Sequence, residues 1–253
     1  MSIPYNPFTL ESKTILVTGA SSGIGRAIAV MCSKMGAEVI ATGRALDKLE
    51  DTLSLMEGGN NSIVAADLSL EDNVRGLVES CPKLDGVVHC AGVSQRGLLK
   101  SIEKEEVEYV MRSNFEAPVL LQKTLLQSKK IKKGASLVFI ASRAPFAPSV
   151  GNGIYSASKG ALIAYSKVLA LELADRLIRV NCICPGLVWT DLLKRDEETT
   201  GTDFKTIEKQ YPLKRFGQPE DVAALTVYML SDASSWMTGS SVDLAGGGEL
   251  TLK

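Results

Sequence analysis

Short apolar runs alternate with longer segments of helical periodicity along most of the chain. Each short run is rich in β-branched residues and is followed by a turn signal, which predicts a buried strand. Between these runs, apolar residues recur every three or four positions, which predicts amphipathic helices. The predicted strands are Lys13–Thr18, Glu38–Thr42, Ser62–Ala66, Gly86–Cys90, Ser136–Ala141, Ile178–Ile183 and Ser241–Leu244.

The helical segments fall between these strands. The first follows a glycine-rich loop and runs to about Met35, and Ser69 with Asp72 has the spacing of a capping box for a later helix. Other helices are predicted at Leu46–Met56, Lys104–Leu126 and Ile154–Leu173, and from Pro219 onwards. Strands that alternate with helices predict an α/β fold, a doubly wound parallel sheet with helices on both faces.

Residues 187–218 interrupt this alternation. The segment is polar, charged and weakly patterned, and long irregular loops in compact domains are often active-site lids. Nothing in the sequence marks a linker or an internal repeat. We therefore expect a single domain over residues 1–253, with residues 187–218 as the substrate lid.

Composition narrows the class of protein. The net charge of −1 gives no reason to expect nucleic acid or an anionic membrane surface as a partner. The N-terminal residues resemble no signal peptide, and no apolar run approaches the ~20 residues of a membrane span. Five scattered cysteines without a CxxC, and a single histidine, argue against a metal site and indicate reduced thiols. We expect a cytoplasmic protein without a metal.

The loop Gly19–Gly25 has the sequence GASSGIG and lies between a predicted strand and a predicted helix. Glycines let such a loop turn tightly and let its backbone approach a pyrophosphate. The following helix N-terminus offers unpaired N–H groups to phosphates. The spacing is GxxxGxG, which differs from the more common GxGxxG, but the context predicts a dinucleotide site in a Rossmann-type sheet.

Tyr155 and Lys159 are four residues apart on a predicted helix, so they share one face. A free tyrosine, with a pKa of about 10, is a poor acid–base group near neutral pH, and a neighbouring ammonium favours its phenolate form. Taken alone, the spacing also fits a surface tyrosine and lysine. Ser142, however, directly follows a predicted strand, so the serine, the tyrosine and the glycine loop should meet at the carboxyl edge of the sheet.

With these motifs the chain resembles the short-chain dehydrogenase/reductase family, in its single-domain branch, over nearly its whole length. The glycine loop matches the family's cofactor motif, and Ser142, Tyr155 and Lys159 match its catalytic residues at the family spacing. Asn114 matches the family's catalytic asparagine. The resemblance assigns the cofactor to Gly19, Ser21, Ser22, Gly23, Ile24, Gly25, Arg44, Asp67, Leu68, Ala91, Gly92, Tyr155, Lys159, Pro185, Gly186, Val188 and Thr190.

The resemblance implies an oxidoreductase that transfers a hydride between a nicotinamide and a carbonyl or secondary alcohol. Tyr155 would be general acid or base, and Ser142 would bind the substrate oxygen. Lys159 would support the tyrosine and hold the nicotinamide ribose, and Asn114 would hold a water of the proton relay. A non-catalytic NADP-binding sensor is the alternative, although sensors usually lose part of this tetrad.

Arg44, at the end of the second predicted strand, favours NADP(H) over NAD(H). NAD binding usually requires an acidic residue at this point, whereas Gly43 and Arg44 are not acidic. An arginine can bind a 2′-phosphate bidentately, and a carboxylate would repel it. Arg44 as a simple surface charge is the other interpretation, and Asp47 is the residue that opposes the preference.

The sequence does not identify the substrate. The strongest likeness is to 3-oxoacyl-acyl-carrier-protein reductases and to relatives that act on sugars, steroids or small ketones. A basic cluster could bind an acidic carrier protein, or its lysines could simply be solvated. It comprises Lys129, Lys130, Lys132, Lys133 and Arg176. The resemblance also implies a homotetramer, because two long helices have more than one apolar face.

One departure from the family concerns the residues after the fourth predicted strand. The family often has Asn-Asn-Ala-Gly there, whereas this chain has His89-Cys90-Ala91-Gly92. Cys90 cannot replace the hydrogen bonds with which the second asparagine braces the sheet. His89 is predicted to be structural rather than a catalytic base.

Overall fold

The computed structural model describes residues 6–248, so the ends of the predicted domain, residues 1–5 and 249–253, lie outside the described part. Seven strands form one parallel sheet, which confirms the predicted α/β class. The strands are β1 (Thr14–Thr18), β2 (Glu38–Gly43), β3 (Ser62–Ala65), β4 (Leu84–His89), β5 (Ile131–Ile140), β6 (Arg179–Pro185) and β7 (Ser241–Leu244).

Helices connect these strands and cover both faces. They are α1 (Gly23–Lys34), α2 (Leu46–Leu55), α3 (Glu71–Ser80), α4 (Lys104–Met111), α5 (Ala117–Gln127), α6 (Gly153–Glu172), α7 (Asp191–Thr200), α8 (Phe204–Gln210) and α9 (Pro219–Leu230). Within residues 6–248, no helix has the length and apolar character that a membrane crossing requires.

The strand order is β3-β2-β1-β4-β5-β6-β7, so β1 lies between β2 and β4. The chain moves outward from β1 in one direction through β3 and then in the other direction from β4 to β7. The loops that follow β1 and β4 therefore diverge at their carboxyl ends and leave a crevice between them. In open parallel sheets, ligands bind at this point.

Two hydrophobic cores lie on opposite faces of the sheet. One is built by side chains of α3, α5 and α6, such as Leu77, Leu121 and Leu162. The other is built by α1, α2 and α9, with Ile28 and Val222 among its buried residues. Because the inner strands are covered on both faces, they contain continuous apolar runs such as Ile15–Val17 in β1 and Leu137–Ile140 in β5, as buried parallel strands usually do.

The predicted helix Lys104–Leu126 is interrupted. The chain forms α4, then a π-helical turn at Arg112–Glu116, and then α5. Pro118 lies four residues after Asn114 and has no N–H with which to bond the Asn114 carbonyl in an α-helix. The prediction of one continuous helix was wrong, and the wider turn holds Asn114 in a fully buried position.

The capping box predicted at Ser69 and Asp72 was also wrong. Helix α3 begins at Glu71 with Leu70 as its N-cap, and no side chain caps it. The Ser69 amide and hydroxyl instead donate to Asp67 Oδ1 over 2.9 and 2.7 Å. Asp67 therefore holds the serine in a local turn, a common alternative for these residue types.

Residues 187–218 are not irregular. They contain α7 and α8, whose N-caps Thr190 and Asp203 accept hydrogen bonds from the first turn of each helix. A separate aromatic core holds them together, in which Phe216 is fully buried against Trp189, Phe204 and Tyr211. The sequence pattern missed these helices because the segment buries its few large side chains in its own cluster.

His89 and Cys90 end β4 without the asparagine pair of the family. The Thr18 hydroxyl accepts hydrogen bonds from the amides of Cys90 and Ala91, at 3.0 and 3.1 Å, and so braces β1 against the loop. His89 is buried, stacks on Phe139 with ring centroids 4.5 Å apart, and lies 3.0 Å from Gln122. These contacts confirm a structural role for His89.

Candidate active site

The glycine loop between β1 and α1 forms one wall of the crevice. Gly19 has a φ of +67°, and a Cβ there would lie 2.8 Å from the Ala91 Cα. A Cβ at Gly25 would lie 2.2 Å from the Gly19 carbonyl oxygen. Glycine is therefore required at both positions, and the loop lies close against the residues that follow β4. Helix α1 begins at Gly23, so its free amides face this crevice.

Tyr155 and Lys159 lie in the first two turns of α6, on the face that looks into the crevice. Lys159 is only 5% exposed, and its Nζ donates to the Ile140 carbonyl oxygen at the end of β5 over 2.9 Å. The same Nζ lies 5.9 Å from the centroid of the Tyr155 ring. A buried ammonium with three N–H donors is thus fixed next to the phenol, with one donor used by the sheet.

Asn114 is fully buried behind the loop that follows β4. Its Oδ1 accepts from the Val93 amide over 2.7 Å, and its Nδ2 donates to the Val93 carbonyl and to Ser158 Oγ over 2.9 and 3.0 Å. Ser158 in turn donates to the Tyr155 carbonyl. Asn114 therefore links the β4 loop to the catalytic turn of α6.

Gly92 lies where these side chains converge. A Cβ at this position would be 3.0 Å from Asn114 Oδ1 and 3.3 Å from Lys159 Nζ. Glycine leaves this space open, so the floor of the crevice is formed by backbone and by the lysine ammonium. An open floor of this kind can receive a flat ring and a ribose.

A cleft of about 680 Å³ occupies the crevice. It brings together most of the predicted cofactor residues, together with Tyr155 and Lys159. Those that line it are Gly19, Ser21, Ser22, Gly23, Ile24, Gly25, Arg44, Asp67, Leu68, Ala91, Gly92 and Thr190. Its extent from Arg44 to Thr190 matches an elongated, two-part ligand better than a compact one.

Several predicted residues lie outside the cleft lining. Asn114 is one layer behind it, and Ser142 lies two residues past the end of β5, where its Oγ accepts from the Ala144 amide over 3.1 Å. Pro185 ends β6, Gly186 donates to the Leu244 carbonyl, and Val188 is buried.

The sequence missed other residues of the cleft. They come mainly from the loop that follows β4, from α4, α5 and the turn between them, and from α7. They are Gly43, Ala45, Lys48, Ala66, Ser69, Cys90, Val93, Ser94, Gln95, Arg96, Tyr109, Ser113, Ala117, Ile140, Ala141, Asp191, Leu192, Arg195, Asp196 and Thr199. Residues 91–97 were recognisable from the sequence as a loop after a strand end. Residues 191–199 lie within the segment 187–218 that was predicted as the substrate lid, although no individual contact was assigned to them.

Arg44 and Asp67 mark one end of the cleft. Burial of the Asp67 carboxyl opposes its ionisation, but the hydrogen bonds from Ser69 and the charge of Arg44 outweigh it and hold the pKa of Asp67 below its usual range. Arg44 is exposed and is free to approach a ligand from solvent. This end of the cleft therefore combines the exposed guanidinium of Arg44 with the hydrogen-bonded carboxylate of Asp67.

Neither thiol nor metal chemistry is supported in the cleft. Burial raises the pKa of Cys90 to about 12, although the charge of Lys159 opposes this, so the thiol stays protonated. In the described part of the chain, no three His, Cys, Asp or Glu side chains are grouped as metal ligands. The acid–base groups at the floor are the phenol and the ammonium.

The predicted basic cluster lies at the opposite edge of the sheet. Lys129, Lys132, Lys133 and Arg176 line a depression of about 510 Å³ near the start of β5. The nine residue steps of β5 separate it from Lys159 by about 30 Å. Lys132 pairs with Asp85 at 2.7 Å, and Arg176 donates to the Ile131 carbonyl, so part of the charge is used within the fold.

The residues present fit a nicotinamide dinucleotide. Amides at the start of α1 suit a pyrophosphate, Arg44 and Asp67 suit the adenosine end, and the space over Gly92 suits the nicotinamide ribose. This fit places the second half of the ligand beside Tyr155.

Known proteins are similar to this chain over most of its length. Residues 19–249 match the family model described as enoyl-(acyl carrier protein) reductase. A 3-oxoacyl-[acyl-carrier-protein] reductase of Rickettsia felis is 32% identical over 238 residues, which cover 94% of this chain and 97% of that protein.

Two solved structures are similar over nearly the whole chain. A short-chain type dehydrogenase/reductase from Mycobacterium ulcerans has a TM-score of 0.87 at 31% identity, covering 96% of this chain and 92% of that one. A candidate NAD(P)-dependent gluconate 5-dehydrogenase from Beutenbergia cavernae with bound NADP has a TM-score of 0.87 at 30% identity, covering 96% and 99%.

Proposed function

We propose, because this chain belongs to the short-chain dehydrogenase/reductase family, that it transfers a hydride between NADP(H) and a carbonyl or secondary alcohol. The observation that carries the proposal is the buried Lys159 ammonium, held by the Ile140 carbonyl next to the Tyr155 ring in the cofactor cleft. A phenol beside a fixed cation is suited to proton transfer, and the cleft provides the surface for a nicotinamide.

The proposed roles follow from these positions. In reduction, Tyr155 donates its phenolic proton to the substrate oxygen as negative charge develops there, and in oxidation it removes that proton. Lys159 stabilises the phenolate that remains, because its charge is close and poorly screened. Ser142 donates a hydrogen bond to the same oxygen. A bound nicotinamide supplies or accepts the hydride.

Asn114 supports this arrangement from behind. Its hydrogen bonds to Val93 and Ser158 fix the loop and the helix turn between which the reaction takes place. Its Oδ1 keeps a second lone pair, which suits the relay water that we assign to it. The role of Asn114 is to position other groups, since it does not line the cleft.

NADP(H) is the proposed cofactor because Arg44 and Lys48 both line the adenosine end of the cleft. We expect Gly43→Asp combined with Arg44→Ala to lower kcat/KM for NADPH by about 10- to 100-fold, the effect of losing a charge-assisted hydrogen bond. The ratio of kcat/KM for NADPH to that for NADH measures the change.

Arg75→Ala is the matched control for this pair, because Arg75 is exposed on α3 and bonds only Asp72 within the described part. The ratio of kcat/KM for NADPH to that for NADH should be the same in this variant as in the unmodified protein. Because a Cβ at Gly43 would lie 3.2 Å from Ser21 Oγ, Arg44→Ala alone should be measured too. An unchanged NADPH preference in both Arg44 variants would exclude the assignment.

The substrate class is tested with a panel of carbonyl compounds. NADPH oxidation is followed with 3-oxoacyl thioesters, keto sugars and keto acids, 3-oxosteroids and simple diketones, and with an enoyl thioester because the family model's description names that bond. We expect turnover of at least one carbonyl compound and no reduction of the conjugated carbon–carbon double bond of the enoyl thioester. Turnover of the enoyl thioester alone would contradict a carbonyl reductase.

An acyl-carrier-bound substrate is a narrower proposal, supported by the name of the Rickettsia relative. In the same panel, a 3-oxoacyl chain is offered on acyl carrier protein and on a small thiol. Since the basic cluster lies about 30 Å from Lys159 along β5, a carrier on that cluster would have to serve the cleft of another subunit. Equal kcat/KM for the two thioesters would argue against carrier recognition.

We also propose a homotetramer in the cytoplasm. Large apolar side chains remain exposed on α5 and α6, including Leu120, Val168 and Leu171, and Trp236 beside β7 is fully exposed. Faces of this kind suit subunit contacts. Light scattering should give about four times the 27.1 kDa chain mass.

The five unpaired thiols suit a reducing compartment, which cell fractionation would test.

A non-catalytic NADP-binding sensor is the second candidate. It is less well supported, because the complete tetrad Asn114, Ser142, Tyr155 and Lys159 is retained. NADPH binding without turnover of any compound in the panel would favour the sensor.

A further inference from the structure

Arg96, in the loop after β4, has more hydrogen-bond donors than the protein uses. Its Nε donates to Asp196 Oδ2 on α7 over 3.1 Å. A guanidinium has five N–H groups, and no other group in residues 6–248 accepts from this one. The side chain is 21% exposed, and its two terminal nitrogens have no partner in this part of the chain. They can therefore donate to a ligand in the cleft.

The position of Arg96 is at the tyrosine end of the cleft. Arg96 lines the cleft, and the next residue, Gly97, donates its amide to the Gly151 carbonyl over 2.9 Å. Gly151 lies just before α6, whose first turn carries Tyr155. The Arg44 end of the cleft is on the far side of the glycine loop. A group bound to Arg96 would therefore belong to the substrate rather than to the adenosine of a cofactor.

The loop presents Arg96 in a fixed position. The neighbouring Gln95 donates to Glu106 on α4, and Glu106 also accepts from the Glu103 amide over 2.9 Å. Asp196 is itself only 19% exposed and holds Arg96 from the lid side. The guanidinium is thus held from both sides before any ligand arrives, which lowers the entropy lost on binding.

The geometry of the ion pair leaves the anion-binding edge of Arg96 open. Asp196 contacts Nε through one oxygen, whereas a guanidinium can also bind a carboxylate with two parallel bonds from its terminal nitrogens. The cleft lining also carries the hydroxyls of Ser94 and Ser113. A steroid or a long acyl chain would offer no acceptor to the terminal nitrogens of Arg96.

We propose that Arg96 binds a carboxylate of the substrate through its two terminal nitrogens, with Asp196 as its fixed counter-ion, so that the protein acts on small oxo or hydroxy acids. This inference rests on the proposed function and names its substrate class. Arg96 is then a specificity-determining residue: it anchors one end of the substrate while Tyr155 serves the reacting carbonyl.

The test compares acids with neutral counterparts of the same skeleton. The probes are acetoacetate against methyl acetoacetate, and 5-keto-D-gluconate against L-sorbose, each with NADPH. We expect kcat/KM in at least one pair to be about tenfold or more higher for the acid. In Arg96→Gln that advantage should fall by about 10- to 100-fold, mainly through KM, with the neutral probe changed by less than about threefold.

Three further variants distinguish two roles of the Arg96–Asp196 pair: binding of the substrate carboxylate by Arg96, and closure of the lid by the ion pair. Arg96→Lys keeps the positive charge but loses the paired terminal N–H donors of the guanidinium. The ratio of kcat/KM for the acid to that for its neutral counterpart should therefore be intermediate. Asp196→Asn removes the counter-ion, so KM for the acid should fall. Arg75→Gln removes an exposed cation outside the cleft and should leave the preference for the acid within about threefold of that of the unmodified protein. If the ion pair only closes the lid, Arg96→Gln and Asp196→Asn should impair acid and neutral probes alike, and that result would overturn the proposal.

A binding measurement separates this inference from the proposed function. Acetoacetate is titrated calorimetrically into the protein with NADP⁺, a combination that cannot react. We expect Kd to rise about 10- to 100-fold in Arg96→Gln. If Kd changes in this way while no probe is turned over, carboxylate binding by Arg96 is supported and the proposed function is contradicted. If acid and ester bind and react equally well in the unmodified protein, or if acid binding is the same in Arg96→Gln, the anchor is excluded.

Discussion

Tyr155→Phe is expected to lower kcat by about 10²- to 10⁴-fold for the best compound of the panel, the range that general acid–base catalysis contributes. The substitution removes the phenolic proton and leaves the ring, which lies 5.9 Å from Lys159 Nζ, in place. The affinity for NADPH should stay within about threefold, because the cofactor surface is formed mainly by the glycine loop and Lys159. Single-turnover kinetics together with fluorescence titration of NADPH would measure both quantities.

Tyr165→Phe on the same helix is the matched control. Tyr165 is part of the core on the far side of the catalytic turn, where its ring packs edge-on against Phe115 and Phe139. It does not line the cleft, so loss of its hydroxyl should leave kcat within about twofold of the unmodified protein. Equal activities of Tyr155→Phe and Tyr165→Phe would contradict the assigned role and favour the sensor.

Gly25→Ala is expected to destabilise the protein and to weaken cofactor binding together. The added Cβ would lie 2.2 Å from the Gly19 carbonyl oxygen, a backbone atom that cannot rotate away. The loop must shift, at a cost of about 1–3 kcal/mol in the free energy of unfolding. Because the same loop is the proposed pyrophosphate cradle, Kd for NADPH should rise at least about tenfold. Urea unfolding and calorimetric titration would measure the two effects.

Gly76→Ala provides the opposite expectation with the same chemical change. Gly76 is exposed in the middle of α3, and nothing lies within 4 Å of the position its Cβ would take. Alanine in place of glycine inside a helix stabilises it by roughly 0.5–1 kcal/mol. NADPH affinity should be unchanged. A Gly25→Ala protein as stable as Gly76→Ala would show that the close approach to Gly19 is not maintained in solution.

The parts of the fold that follow from local patterns were predictable from the sequence. Strand–loop–helix alternation predicted the parallel sheet, and GASSGIG after β1 predicted the loop that closes against Ala91. The four-residue spacing of Tyr155 and Lys159 predicted their shared face. In these cases the structure is determined locally, either by the periodicity of the side chains along the chain or by the conformation of a short backbone segment.

Features that depend on partners distant in the sequence were not predictable. Helices α7 and α8 are stabilised by Phe216 and Trp189, which meet only after the chain has folded back. The π-helical turn at Asn114 reflects both Pro118 and the hydrogen bonds to Val93 on another loop. The Arg96–Asp196 ion pair joins residues one hundred positions apart, and no spacing rule connects them.

The burial of His89 decides how the pH dependence of the reaction is to be interpreted. This is the only histidine of the chain, and desolvation lowers its pKa to about 4, despite the opposing hydrogen bond with Gln122. Histidine is the side chain that ordinarily titrates between about pH 5 and 8. A pH–rate profile in that interval therefore contains no imidazole ionisation. Any inflection found there must come from a group other than histidine.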